Sequence, residues 1–520
     1  MVVAPHHQAS RAGLEILREG GNAVEAVIAA VSVLCVAYPH MTGLGGDGFW
    51  LIRQPGRVPV AIDACGRSAG LATPDLFRTA GHDSIPFRGP LAAITVPGAV
   101  SGWIEALKLA SQTSKAFPLA RLLEEARFLA ESGVPVTAHQ ADLTTLKKSE
   151  LENQPGFSGQ FLTDSVVIRQ GARLQLPALA GTFARLAKAG LNDFYTGDLA
   201  RDMAHELEQA GSPLRAEDLA GQQAIRRPPL RLKLPGVELF NLPAPTQGMA
   251  SLIILGLFSR LGVKRAEGFE HVHALVEAAK KSFAIRDRIM GDPDQMTEDP
   301  KTFLEDSALD ALAASISMDH AQPWPGRKPD AGDTVWLGAV DSQGMSVSYI
   351  QSIFFEYGSG VVLPNTGVTM QNRGVAFDLK GNGPRLLVPG RKPYHTLNPA
   401  MALFEDGRTL AYGTMGGEGQ PQTQGAFFTR YALFGQQIQE ALTAPRWVQG
   451  RTWGGEAVTL KMEDRFDPSV VDALRDAGHE VEVVKPFDSM MGHAGAIALL
   501  QDGTLEGGVD PRGDGTVACY

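Results

Sequence analysis

The most constraining feature of this chain is an abrupt change of character at Thr334. The stretch from Gly291 to Asp330 is polar and rich in Pro and Asp, and it reads as an exposed loop with one short helix near Leu309. Gly332-Asp333-Thr334-Val335-Trp336-Leu337-Gly338-Ala339-Val340-Asp341 then reads as a strand. It ends in a Ser342-Gln343-Gly344 turn, and a second strand from Met345 to Ile353 runs back beside it. Exposed polar segments are where a chain tolerates being cut. A threonine hydroxyl is a poor nucleophile unless a base lies beside it, and an amino-terminal threonine carries such a base in its own α-amine, with a pKa of about 8. The Asp333-Thr334 junction is therefore a candidate cleavage site, and Thr334 a candidate nucleophile held on a strand.

Composition narrows the setting. Hydrophobic residues make up 44% of the 520 and charged residues 20%, enough for a sizeable core. The net charge is −10 with no dense Lys/Arg cluster, which argues against nucleic acid and anionic membranes as partners. Cys35, Cys65 and Cys519 show no CxxC spacing, so neither a disulfide framework nor a structural zinc site is expected. No run approaches the roughly 18 apolar residues of a membrane span. The first residues lack the pattern of a signal peptide, and the expected location is the cytoplasm. His6-His7 reads as a solvated end.

Helices are expected from Ala9 to Arg18, Ala23 to about Val36 (capped by Asn22), through Trp103 and Leu109, Leu119 to Glu131, Leu176 to Ala189 and Gly197 to Gln209. Further helices are expected from Met249 to Leu261, Phe269 to about Arg288, Thr423 to Phe434 and Pro468 to Ala477. Strands are expected at Val60–Asp63, Val237–Leu242, Val361–Leu363, Gly367–Met370, Ala400–Phe404, Leu410–Tyr412, Val481–Val484 and Ala494–Leu500. Gly43-Leu44-Gly45-Gly46-Asp47-Gly48 matches GxGxxG, but a helix precedes it and the strand-like Phe49–Arg53 follows, the reverse of a dinucleotide site. It reads instead as a tight turn where backbones pack closely. Gly413-Thr414-Met415-Gly416-Gly417-Glu418-Gly419 lies between a strand and a helix. Such a turn can aim N–H groups at an oxyanion or serve as an ordinary connection. His271 and His273 are two apart on a helix and face different sides, so a metal pair is not expected there.

Taken together, the chain resembles the γ-glutamyltranspeptidases, a family of N-terminal nucleophile hydrolases. The resemblance rests on Gly13–Val24, Gly43–Phe49, Val96–Val100, His273–Ala278 with Asp292-Pro293, and Asp333-Thr334. Phe355–Gly360, Gly416-Gly417, Ala444–Arg446 and Asp510–Arg512 complete it. It implies an α+β fold, a four-layer αββα sandwich, made by self-cleavage into residues 1–333 and 334–520, which fold together as one unit. It implies Thr334 as nucleophile, Ser352 as the hydroxyl that positions the new amine, and Gly416 and Gly417 as the oxyanion hole. No cofactor and no metal are implied. The two chains pair, and a dimer of such heterodimers is an open possibility.

Departures from the family pattern bear on the substrate. Where γ-glutamyl-binding members carry an arginine, a serine pair, an asparagine and an acidic pair, this chain has Cys65 (with Arg67 two residues on), His395-Thr396, Phe354 and Val375-Ala376. Both partners of a substrate ammonium are gone, and leaving one buried and unpaired costs on the order of several kcal/mol. Arg373, with Asn372, Thr396 and a protonated His395, is expected to hold a carboxylate instead; a structural ion pair is the competing reading of Arg373. The segment from Phe377 to Pro393 is shorter than in members with a lid, so an open pocket is expected. Within the family the pattern looks most like the oxamate amidohydrolases of ureide catabolism. A glutaryl, cephalosporin-type or residual γ-glutamyl substrate is one alternative, and an inactive binding homologue the other.

Overall fold

Alternate residues of the strand Asp333–Val340 enter different cores, and the architecture follows from that alternation. Val335, Leu337 and Ala339 pack among helices, whereas Trp336 and Val340 face a second sheet. The neighbouring strands Ser346–Phe354 and Asp47–Arg53 divide the same way, with Val347, Tyr349, Trp50 and Ile52 toward helices and Ile350, Phe49 and Leu51 toward the sheet. The computed structural model describes residues 1–111, 116–324, 332–450 and 458–520, and of Asp333 only the backbone. Positions 325–331 of the polar stretch and the Asp333 side chain of the expected cleavage junction lie outside the described residues.

Seven strands form one antiparallel sheet in the order Thr516–Ala518, Val2–Ala4, Asp333–Val340, Ser346–Phe354, Asp47–Arg53, Val60–Ala64, Ile225–Arg227. Six form the other, in the order Leu505–Val509, Ala494–Leu499, Thr409–Thr414, Ala400–Phe404, Val237–Asn241, Leu230–Leu234. Phe240, Leu242, Met401, Ala411 and Ile497 fill the space between the sheets with Phe49, Trp336 and Ile350. Helices Ala23–Ala37 and Ala99–Ala110 cover the outer face of the first sheet, and Gly248–Phe258, Phe269–Ile289 and Gln420–Phe428 that of the second. The result is a four-layer αββα sandwich. Each sheet takes strands from both sides of residue 333, so the two parts of the chain share all three cores.

Local chemistry explains the expected elements. Asn22 and Glu25 form a reciprocal capping box at the start of Ala23–Ala37, which is buried on every side, as its small apolar composition requires. Trp336 is pinned in a slot of glycines: a β-carbon added at Gly338 would lie 2.9 Å from its ring, and one at Gly413 or Gly495 closer still. Its Nε1 donates to Ser348 Oγ at 2.9 Å, so the strand beginning at Asp333 is anchored on the face that meets the second sheet.

Several expectations need correction. The expected helix Leu119–Glu131 breaks at Leu123 into Leu119–Leu122 and Glu124–Ser132. Val361–Leu363 and Gly367–Met370 form no strand, only isolated bridges, Val362 to Thr369 and Met370 to Gly45. The helix after Gly419 runs from Gln420 to Phe428 and continues as a π turn, Thr429–Leu433. His6 is buried as the N-cap of the helix His7–Arg18, its Nδ1 accepting from Gln8 N; only His7 is exposed. The helix Ala138–Leu151 escaped sequence reading because its apolar positions are sparse and one of them, Leu146, is exposed.

Candidate active site

Thr334 sits at an irregularity in the ladder, where the register between the strands from Asp333 and from Ser346 shifts between Asp333 and Val335. The residue is 1% exposed and its hydroxyl has no hydrogen-bond partner among the described residues. A buried hydroxyl without a partner is costly in a purely structural position. Across the ladder, Ser352 accepts from Phe354 N at 2.7 Å and pairs in register with Asp47 on its other side.

The glycine-rich turn at 43–48 is built for close approach, as the tight-turn reading expected. A helix precedes it and a strand begins at Asp47, so no nucleotide-binding strand–turn–helix exists here. β-Carbons at Gly45 and Gly46 would run into the carbonyl oxygens of Thr369 and Ser352. Asp47, which sequence reading did not single out, is the hub of this turn. Its Oδ1 accepts from Gly66 N, Gly98 N and Gln371 Nε2 at 3.0–3.1 Å, and its Oδ2 accepts from His395 Nε2 at 3.1 Å. Burial pushes its carboxyl up to about 6 against those donors.

Gly416 and Gly417 follow the strand Thr409–Thr414 with φ of 119° and 53°, conformations that favour glycine. Met415 N donates to His493 O at 3.1 Å, which ties this turn to the next strand. A β-carbon on Gly417 would lie 2.9 Å from Gly332 N and 3.1 Å from Gly332 O. The residue two before Thr334 thus lies directly on this turn.

Gln247, between the expected strand Val237–Leu242 and the expected helix Met249–Leu261, holds the turn from below. Its fully buried Nε2 donates to Gly417 O at 2.9 Å and to Thr396 O at 2.7 Å. Its Oε1 accepts from Arg286 Nη1 at 3.0 Å and Tyr394 Oη at 3.2 Å, and Arg286 Nη2 reaches Glu418 at 2.9 Å. A polar residue placed immediately before the apolar helix Gly248–Phe258 was the one signal that could have marked it.

Arg373 and Thr396, far apart in sequence, meet: Arg373 Nη2 donates to Thr396 Oγ1 at 3.1 Å. The guanidinium carbon lies 3.5 Å from the centre of the Phe354 ring. The other two expected carboxylate ligands are committed elsewhere. Asn372 accepts from Phe355 N at 3.1 Å and donates to Phe87 O at 2.9 Å. His395 uses Nε2 on Asp47 and Nδ1 to accept from Leu397 N at 3.4 Å. Burial, with Arg373 nearby, holds its imidazole well below the ordinary value, so the expected protonated His395 is corrected to a neutral one. Arg67 turns outward to Gly390 O, while Cys65 is buried and donates weakly to Gly66 O.

Among the described residues, two groups bring ligand-type atoms within 4.8 Å of one another, Asp47–Cys65–His395 and His273–Glu277–His479. In each the donors already serve one another or a cation. His395 donates to Asp47 with Arg373 and Lys392 as charged neighbours, and Lys280 Nζ lies 2.7 Å from Glu277 while His273 and His479 share a hydrogen bond of 2.8 Å. A metal ion would have to displace these partners.

Comparison with known proteins agrees with this geometry. The family described as Gamma-glutamyltranspeptidase matches residues 9–520. The chain is 51% identical to the oxamate amidohydrolase proenzyme of Klebsiella pneumoniae subsp. pneumoniae, covering 100% of this chain and 98% of that protein. It is 39% identical to the glutathione hydrolase-like YwrD proenzyme of Bacillus subtilis, covering 99% and 97%. Among solved structures, cephalosporin acylase from Bacillus halodurans superposes with a TM-score of 0.91 at 30% identity, over 100% of this chain and 95% of that one. A αββα sandwich, an unpartnered threonine hydroxyl at a strand start and full-length similarity to these hydrolases together place the chain: it is an amidohydrolase of the γ-glutamyltranspeptidase family.

Proposed function

We propose that the chain cuts itself before Thr334 into residues 1–333 and 334–520, and that Thr334 then hydrolyses a short amide bearing a carboxylate, with oxamate as substrate. The observation that carries the substrate class is the buried Arg373–Thr396 pair stacked on Phe354, one ladder position from the nucleophile. The similarity to the Klebsiella oxamate amidohydrolase proenzyme supports the same reading.

Once Thr334 is a terminus, its amine takes the proton of its own Oγ, which attacks the amide carbonyl. The N–H groups of Gly416 and Gly417 receive the oxyanion, and Arg373 with Thr396 holds the substrate carboxylate. The C–N bond breaks and the proton leaves with ammonia, giving an oxalyl ester on Thr334. Water then adds to that ester and releases oxalate. Oxamate and water go in, and oxalate and ammonium come out. Asp47 and His395 act through packing, because neither has a free atom to offer the substrate.

The test is a gel and an ammonia assay. Wild type separates into two bands and releases ammonia from oxamate faster than from a glutaryl amide, and outpaces p-nitroaniline release from γ-glutamyl-p-nitroanilide. Thr334→Ala stays whole and is inactive. An uncut wild type, or good turnover of the γ-glutamyl donor with none of oxamate, overturns the proposal.

A further inference from the structure

Phe354 has a backbone conformation that is unfavourable for its side chain, as does Tyr357 three residues on. Its φ is 81°, in the left-handed region that a bulky residue rarely adopts, and it ends the strand that runs back along Thr334. Strain of this kind persists where surrounding structure enforces it and it clusters at functional sites. Here the enforcement is visible. Phe354 N donates to Ser352 Oγ at 2.7 Å, and the next residue, Phe355, has its N–H fixed on Asn372. The same Asn372 holds Phe87 O, and the rings of Phe354, Phe355 and Phe87 run in sequence, with centroids 4.4 and 5.3 Å apart. Phe87 is 49% exposed, so this aromatic row leads from the surface to a ring that is 2% exposed.

The Phe354 ring packs against two groups of interest. The guanidinium carbon of Arg373 lies 3.5 Å from the ring centre. Gly332 lies against the ring as well, and a β-carbon there would come within 2.6 Å of its Cε2. Only glycine at 332 lets the segment before the cleavage junction pass over the ring.

We infer that Phe354 sets the length of the acyl group this enzyme accepts. It walls off the space beside Arg373, so that only a carboxylate directly attached, or nearly so, to the reacting carbonyl reaches the guanidinium. This rests on the proposed function and specifies its substrate class as the shortest ω-carboxy amides. Asn372 is a positioning residue for the aromatic row and touches no substrate. A β-strand end with φ near 80° would be filled more comfortably by asparagine or glycine, both of which tolerate the left-handed region. The ring is therefore present at the expense of local backbone comfort.

The experiment measures kcat/KM for oxamate, malonamate, succinamate and glutaramate with wild type, Phe354→Asn and Phe354→Gly, and the melting temperature of each. Wild type should lose at least 100-fold from oxamate to glutaramate. Both variants should lose at least 10-fold on oxamate and gain at least 10-fold on glutaramate, and Phe354→Asn should still be cut before Thr334. If wild type prefers oxamate and both variants keep the same chain-length profile, the inference falls while the proposed function stands. If wild type turns over none of the series, the proposed function fails and takes this inference with it. Because removing a buried ring leaves a cavity that can unfold the chain whatever the backbone gains, Phe354→Leu is assayed beside them, and if it folds with the wild-type chain-length profile the inference falls.

Discussion

Replacing Gln247 by methionine keeps a long unbranched side chain but removes both donors and the acceptor. The carbonyls of Gly417 and Thr396 then lose hydrogen bonds of 2.9 and 2.7 Å in a site with no exposure. Gly417 O keeps Gln420 N and Arg286 keeps Glu418 and Asp287, so the cost falls mainly on Thr396 O and the Tyr394 hydroxyl. At about 1–3 kcal/mol for each buried unsatisfied group, the variant should lose roughly 2–6 kcal/mol of stability. The effect on chemistry is separable from that loss. One oxyanion donor is worth about 100- to 1,000-fold in kcat, and Gln247 fixes the turn proposed to carry two of them. Gln247→Met should therefore lower kcat by about 10- to 1,000-fold with a smaller change in KM, and slow the cut before Thr334. Gln247→Glu sharpens the test, because it keeps an acceptor for Arg286 and Tyr394 while turning an oxygen toward both carbonyls. It should be at least as slow as Gln247→Met. The assay is ammonia release under saturating oxamate, with denaturant titration for stability. If Gln247→Met melts earlier but has wild-type kcat, or if Gln247→Glu is fully active, the donated hydrogen bonds do not align the oxyanion turn and the reasoning fails.

Two further outcomes follow from the same structure. Gly46→Ala drives a β-carbon into Ser352 O, so the strand beside Thr334 must shift at a cost of about 1–3 kcal/mol or more, and cutting on a gel should fail or slow sharply. Gly43→Ala, whose β-carbon would meet Ile353 Cγ2 at an ordinary 3.6 Å, should be close to wild type, and equal behaviour of the two variants would refute the close-approach reading of the turn. Stability should also fall on acidification. Burial lowers His493 to about 4 and His271 to about 3, and holds His40 well below its ordinary value. A histidine held neutral contributes stability that is fully present above its unfolded pKa near 6.5 and is lost as pH falls toward the folded value. Each of the three then withdraws up to about 1.4 kcal/mol per pH unit, against an opposite contribution from Asp47, whose raised value favours the protonated form. Urea titrations should show lower stability at pH 5 than at pH 7, and unchanged midpoints would contradict the neutral burial of these histidines.

Much of the site was legible because its parts carry local signals. A glycine needed for φ of 119° or 53° leaves a mark in the sequence, and so does a threonine that begins a strand after a polar loop. The capping pair Asn22 and Glu25 is equally local, three residues apart on one helix start. Gln247 and Asp47 were barely legible, since several of their partners lie about 150 to 350 residues away along the chain. The helix Ala138–Leu151 was missed for a different reason, its weak apolar periodicity.

By itself, the sequence determined the elements that depend on short-range chemistry: the alternation of the central strands, the capped buried helix, the glycine turns and the position of Thr334. It also limited the substrate reading, because the residues at 354, 373 and 396 are a matter of identity alone. Tertiary structure decided which neighbours each of those side chains has. It paired Arg373 with Thr396 and set Phe354 against them, but spent Asn372 on Phe355 and Phe87, and His395 on Asp47. It also made His395 neutral by taking water away from it. Hydrogen bonds and burial are properties of neighbours in space, and two sheets that draw strands from both ends of the chain create neighbours that no stretch of sequence contains.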